Sequence, residues 1–147
     1  MIFAPRVIAL IAAAAFASLA LADGKYGNAD EAKAMLQQVA ADMKKDQPGT
    51  IARINKGEYK DRDLYPFCMR ASDGHTTAHP TNVGTNILEL KDKKGKAFGK
   101  EMFAVAEEGK LKTVKYMWPK PGETQPSAKE SYVTKVGDQV CGVGFYK

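Results

Sequence analysis

Two cysteines, two histidines and one tryptophan are all that 147 residues contain, and each shortage removes a class of chemistry. A zinc site needs three or four clustered ligands, which so few cysteines and histidines do not supply. His75 and His79 form the one close pair, but an extended chain between them holds them roughly 13 Å apart. Also lacking are a nucleophile motif, a phosphate-cradling glycine loop, a paired-acid constellation and a haem-attachment sequence. Neither catalysis nor a metal or other cofactor is therefore expected. There is no block of basic residues either. The 22 lysines and arginines exceed the 17 acidic residues but are scattered over turns and helix faces. That pattern argues against nucleic-acid binding and licenses only a mild preference for anionic ligands or surfaces.

The longest apolar stretch, Val7 to Ala22, falls short of the roughly 20 residues that cross a bilayer as a helix. It follows Arg6 and ends in Ala20-Leu21-Ala22 before Asp23, the pattern of a cleavable secretory signal. No cysteine follows at which a lipid could be attached. Residues 1–22 are expected to be removed on export across the inner membrane, leaving a single periplasmic domain at 23–147; an uncleaved membrane anchor is the alternative. Cleavage removes one of the basic residues and none of the acidic ones, for a net charge of about +4. The mature chain is expected not to span a membrane.

In an oxidising compartment Cys68 and Cys141, both in apolar, strand-like stretches, are expected to form a disulfide. Two buried free thiols are the alternative reading.

Hydrophobic spacing gives the order of elements. Ala32, Met35, Leu36, Val39 and Met43 recur at helical intervals behind the capping residues Asn28 to Asp30, predicting an amphipathic helix over 29–45. Asp46-Gln47-Pro48 breaks it and starts a short second helix through Asn55, ended by Gly57. A strand at 64–71 and another at 75–79 flank Ser72-Asp73-Gly74, a hairpin turn. A helical turn at 86–90 and a lysine-rich turn at 91–96 lead to a helix at 97–108, stopped by Gly109. Three strands close the chain, at 111–118, 128–136 and 139–146. The whole describes an α+β domain with one antiparallel sheet.

A disulfide requires both cysteines on one face of adjacent strands, which makes the first and last strands neighbours. Alternation then places Leu64, Val143 and Phe145 with the cysteines, facing the first helix. Tyr65, Phe67, Met69, Gly142, Gly144 and Tyr146 take the other face. Aromatics beside two glycines leave room for a cavity there, although a bulge explains the glycines equally well.

These residues also carry a family likeness. Asp61-Arg62-Asp63-Leu64-Tyr65, Ala78-His79-Pro80, Gly84, and Leu90-Lys91-Asp92 before Gly95-Lys96 resemble the single Cache domain family. So do Tyr116-Met117-Trp118-Pro119, Lys129-Glu130-Ser131-Tyr132-Val133 and Gly142-Val143-Gly144-Phe145-Tyr146. The resemblance spans about residues 29–147. It implies a PAS-like sensor fold with a long N-terminal helix behind a five-stranded antiparallel sheet, and short helices and a small-molecule pocket in front. It also implies a small organic acid or amino acid as ligand, and a role in signal transduction or chemotaxis. Members usually sit between membrane spans, whereas this chain ends at Lys147, directly after the last strand. The expected partner is therefore a membrane receptor or sensor kinase. A non-catalytic protein-interaction domain with no ligand pocket is the alternative.

A carboxylate ligand needs convergent donors in an aromatic-lined cleft. Tyr116 and Trp118 share one strand face, and Lys129 and Ser131 share one on the next. With Tyr65, Phe67 and His79 they form the candidate ligand-binding set. Lys129 supplies charge; Tyr116, Ser131 and the Trp118 indole supply donors and wall. His79, at a strand end before Pro80, offers a further donor. Ordinary core packing of the aromatics, a solvated strand lysine and a histidine bonded to a loop carbonyl are the competing roles.

Overall fold

In the computed structural model, which describes residues 24–147, Asn28 fixes where the first helix begins. Its side chain accepts a hydrogen bond from Glu31 N (3.0 Å) and its backbone N–H donates to the Glu31 carboxylate (2.9 Å), a reciprocal cap. The expected export signal lies outside the described residues. Helix α1 (Ala29–Lys45) buries Ala32, Leu36, Val39 and Met43 along one stripe. Asp46 accepts from Gly49 N (3.0 Å) and so caps α2 (Gln47–Asn55), whose second residue is Pro48.

Five antiparallel strands follow: β1 (Pro66–Arg70), β2 (Thr76–Ala78), β3 (Lys112–Pro119), β4 (Pro126–Val136) and β5 (Gln139–Tyr146). They are ordered β2-β1-β5-β4-β3. A single 3₁₀ turn (Ile87–Glu89) and helix α3 (Phe98–Val105) lie between β2 and β3. The sheet separates two cores. Behind it, the α1 stripe and Ile54 pack on Leu64, Cys68, Cys141, Val143 and Phe145. In front, Ile87, Phe98 and Met102 pack on Phe67, Met69, Val114, Tyr116, Val133 and Val140. The α+β architecture expected from the sequence is the one observed, with the first and last strands adjacent. Cys68 pairs opposite Cys141 across β1 and β5, and the two are joined by a disulfide, both fully buried.

Three boundaries differ from the periodicity by two residues or more. α3 ends at Val105, before the expected 108, because Ala106 turns to extended backbone (φ −59°, ψ 127°). The Glu107 carbonyl then accepts from the Thr134 hydroxyl (3.1 Å) and from Lys135 N (3.3 Å), so bonding to the sheet wins over a further helical turn. β1 begins at Pro66 and not at 64, because Asp61 and Leu64 close a tight turn with two backbone hydrogen bonds around Arg62, at φ 55°. β4 starts at Pro126, pairing Pro119 with Pro126, which shortens the wide connection expected before it.

Among the described residues no helix is long and apolar enough to cross a membrane. The free edge of β3 is covered by the lysine-rich turn. Asp92 Oδ2 accepts from Met117 N (3.0 Å) while its Oδ1 holds Lys94 N and Lys96 N (both 2.9 Å), and Lys96 Nζ donates to the Lys115 carbonyl. Capping an edge strand in this way blocks unwanted strand pairing.

The disulfide closes a loop of 73 residues, for which loop-closure entropy gives about 4 kcal/mol. Replacing both cysteines by alanine is expected to lower the unfolding free energy by about that amount in urea titrations. A change below about 1 kcal/mol would show that strand pairing alone holds β1 against β5.

Candidate functional site

The front of the sheet is shaped by what its glycines admit. A Cβ on Gly142 would stand 2.6 Å from the tip of the Phe67 ring, and one on Gly144 would collide with Lys129 Cε and stand 2.6 Å from Ser131 Oγ. The glycines therefore make room for neighbouring side chains lying flat on β5. The cavity sits above those side chains, on the sheet face that carries the two glycines.

That cavity measures about 210 Å³. Six of the seven expected ligand-binding residues line it: Tyr65, Phe67, His79, Tyr116, Trp118 and Lys129. The seventh, Ser131, is fully buried beneath Tyr116, and the two hydroxyls lie 2.9 Å apart. Burial raises the Tyr116 phenol. Tyr132 points to the rear face and packs beside Phe145, ring centroids 5.6 Å apart.

Met69, Thr76, Asn82, Thr85, Ile87, Leu90, Phe98 and Met102 complete the lining. Helical spacing puts Phe98 and Met102 on one face of α3 and says no more than that. In fact Phe98 stacks on Tyr116 (4.5 Å, 5° between planes) and meets Trp118 edge-on (5.4 Å), so α3 clamps the aromatic wall. Thr76, Asn82 and Thr85 had no signal beyond their loop position. They reach the cavity because Thr76 pairs with that loop, donating to Thr85 O (2.9 Å) and accepting from Gly84 N (2.8 Å).

His79 has the opposite polarity to a histidine donating to a loop carbonyl. Its Nδ1 accepts from the backbone N–H groups of Thr81 and Asn82, both at 3.0 Å. A neutral ring accepting at Nδ1 carries its proton on Nε2, so the remaining nitrogen is a fixed donor. Burial, and then the charge of Lys129, push the imidazole down to about 4. The ring stands edge-on to Tyr65 with centroids 5.0 Å apart.

Lys129 is the electrostatic centre. It is 3% exposed, and among the described residues no carboxylate forms an ion pair with it. Its Nζ donates to the Tyr65 hydroxyl (3.1 Å) and lies over the rings of Tyr65 (4.7 Å) and Tyr146 (5.1 Å). Desolvation lowers its pKa to about 8, against a smaller opposing pull from Asp63. Ring contacts of this kind favour the cation, but the net direction is downward because desolvation is the larger effect. Burial likewise pushes the Tyr65 phenol up to about 12.

Asp63 links this site to the start of α1. It is buried, and its Oδ1 accepts from Gly27 N at 2.6 Å, while Oδ2 has no hydrogen-bond partner. Next to it, Arg62 donates to Tyr26 O (3.0 Å) and pairs with Glu31 (2.9 Å).

An α+β domain with an aromatic-lined cavity between a five-stranded antiparallel sheet and short covering helices has the PAS-like fold of Cache sensor domains. The chain belongs to the single Cache domain family: the model described as "Single Cache domain 2" matches residues 20–146. A segment of 73 residues is 36% identical to the methyl-accepting chemotaxis protein McpP of Pseudomonas putida, covering 46% of this chain and 13% of that protein. The match thus spans a small part of that relative's length. Two solved structures share the fold at a TM-score of 0.60. One is a periplasmic sensor domain of a chemotaxis protein, 23% identical over 80% of this chain and 88% of that one. The other is a Cache chemosensory domain studied for carboxylic acid recognition, 27% identical over 80% of this chain and 86% of that one.

The unpaired amine of Lys129 carries a stability cost with a defined sign. The unfolded chain, with lysine near 10.5, binds more protons than the native state between about pH 8 and 10.5, so native stability rises across that window. Below pH 8 the cost reaches about 3 kcal/mol. Lys129→Met is expected to be more stable than the parent at pH 7 by roughly 1–3 kcal/mol and to lose the rise between pH 8 and 10.5, both read from urea midpoints. Equal or lower stability at pH 7 would show that the amine is not held at a cost.

Proposed function

We propose that this domain is an extracytoplasmic, non-catalytic binding module for a small organic acid, and that it passes occupancy to a membrane receptor or sensor kinase. The single observation that carries this reading is the buried ammonium of Lys129, which lines an aromatic cavity and has no ion-paired carboxylate among the described residues. A carboxylate supplies the missing charge. In low dielectric a charge-assisted hydrogen bond to it is worth more than in water. The fixed His79 Nε2–H is a second donor on the same wall. Carboxylic acid recognition by a Cache chemosensory domain of the same fold supports the assignment, and the chemotaxis relative supports the signalling role.

The lining also favours one ligand class over another. Among the described residues no aspartate or glutamate lines the cavity, so the ammonium group of an amino acid would be buried without a partner. Phe67, Ile87, Leu90 and Met102 instead offer apolar wall to a short carbon chain. A volume of about 210 Å³ is below the roughly 300 Å³ at which drug-sized ligands begin to fit. A short acid without an amino group meets these limits. The alternative, a sheet face closed by its own side chains, is disfavoured by the open volume.

Thermal shift of the purified protein against short organic acids and amino acids tests the assignment, because a ligand that binds only the native state raises its midpoint. Acids such as acetate and propionate are expected to raise it and amino acids to leave it unchanged. Affinity should be constant up to about pH 8 and fall about tenfold per unit above it, as the free Lys129 loses its proton. Lys129→Met should abolish binding. No shift by any acid, or an affinity indifferent to pH 8–9.5, would remove Lys129 from the site.

A further inference from the structure

The amine of Lys129 has the properties of a nucleophile as well as of an anchor, and its role as a nucleophile rests on the reading of the cavity as a carboxylate site. A lysine adds to a carbonyl carbon only as the free base, which burial makes accessible near neutral pH. With its pKa at about 8, on the order of a tenth of the Lys129 population is unprotonated at pH 7. Other lysines of the chain meet a different environment: Lys96, Lys110 and Lys147 are partly exposed and bound to Glu101, Glu107 and Glu130.

Geometry supplies the remaining requirements. Lys129 lines the cavity, and among the described residues no carboxylate pairs with it to hold its proton. The Tyr65 hydroxyl, 3.1 Å from Nζ, is placed to relay a proton. His79 lines the same cavity with Nε2–H free to hold a carboxylate, because its Nδ1 is engaged by two backbone donors.

We propose that Lys129 captures short acids bearing an aldehyde or 2-oxo group reversibly and covalently, as an imine. Nζ adds to the carbonyl carbon, forming a C–N bond as the carbonyl π bond opens to a carbinolamine. A proton passes from nitrogen to oxygen through the Tyr65 hydroxyl. The second nitrogen proton follows by the same route, the C–O bond breaks, the oxygen leaves as water, and the C=N bond forms. One amine and one carbonyl give one imine and one water, with no change in oxidation state and no co-reactant. Such a site separates 2-oxo acids from saturated acids of the same length, which a purely ionic anchor does poorly.

The test is reductive trapping. The purified protein is incubated with glyoxylate or pyruvate and cyanoborohydride, which reduces an imine to a stable secondary amine, then digested and mapped by mass spectrometry. In parallel, a thermal shift with propionate, which has no aldehyde or keto carbonyl, reads the carboxylate site alone. Expected is an adduct on Lys129 at least tenfold above the mean of the exposed lysines, suppressed by propionate and absent from Lys129→Arg. Should that variant fail to fold, the wild-type map and its suppression by propionate decide. Adducts spread evenly over exposed lysines while propionate still raises the midpoint would overturn the imine and leave the carboxylate site standing. Neither a Lys129 adduct nor a propionate shift would overturn both.

Discussion

The rest of the structure is arranged around one buried charge that no carboxylate touches among the described residues, the ammonium of Lys129 held inside a sheet face. Water would solvate it far better than the rings of Tyr65 and Tyr146 do, and its lowered pKa records that loss. A group in this condition persists only when the surrounding packing fixes its side chain. Here Gly144 supplies the floor, because any larger residue would collide with the lysine stem. Among the described residues the Tyr65 hydroxyl is the one hydrogen-bond acceptor of the amine. The aromatic wall of Phe98, Tyr116 and Trp118 borders the rest of the cavity.

Holding that face in place is the task of the opposite one. Helix α1 sets Leu36 and Val39, both fully buried, against Cys68, Cys141 and Val143. Side chains of this kind contribute about 1.5–3 kcal/mol each. The disulfide pins β1 to β5 at the centre of the sheet, one residue from Phe67 on β1 and three from Gly144 on β5. Because strand side chains alternate, the rear core and the front cavity share every strand. A slip of one residue would exchange Lys129 with Glu130 and close the site. The rear packing is thus the reason the front can be left partly empty.

Much of this was legible in the residues. Alternation around the two cysteines placed strands, faces and the β1–β5 pairing correctly, because a period of two leaves no freedom once one pair is fixed. Alternation also put Tyr116 with Trp118 on one face of a strand and Lys129 with Ser131 on one face of the next, but not which face meets the cavity. What failed to show was set by contacts distant in sequence. Phe98 has the spacing of a core residue, and only the approach of α3 to β3 makes it a wall of the cavity. Ser131 has the right parity, yet Tyr116 covers it. The polarity of His79 depends on how the chain turns after Pro80, which places two N–H groups on Nδ1. The end of α3 at Val105 depends on Thr134 and Lys135, more than 25 residues away.

The segment Asp61–Tyr65 shows why a cavity on one side of the sheet is mechanically connected to the helix on the other. Tyr65 bonds Lys129 at the cavity, Leu64 packs with α1 in the rear core, and Asp63 and Arg62 bond the backbone of Gly27 and Tyr26 just ahead of α1. Arg62 sits at φ 55°, and two backbone hydrogen bonds close the turn around it, so the segment has little slack. Asp63 is also half satisfied: one oxygen holds Gly27 and the other has no partner, while its charge opposes the desolvation of Lys129. Neutralising Lys129 from the cavity side would therefore alter the field at Asp63, the residue that holds the entry to α1. Five consecutive residues thus touch the cavity wall, the rear core and the backbone ahead of α1.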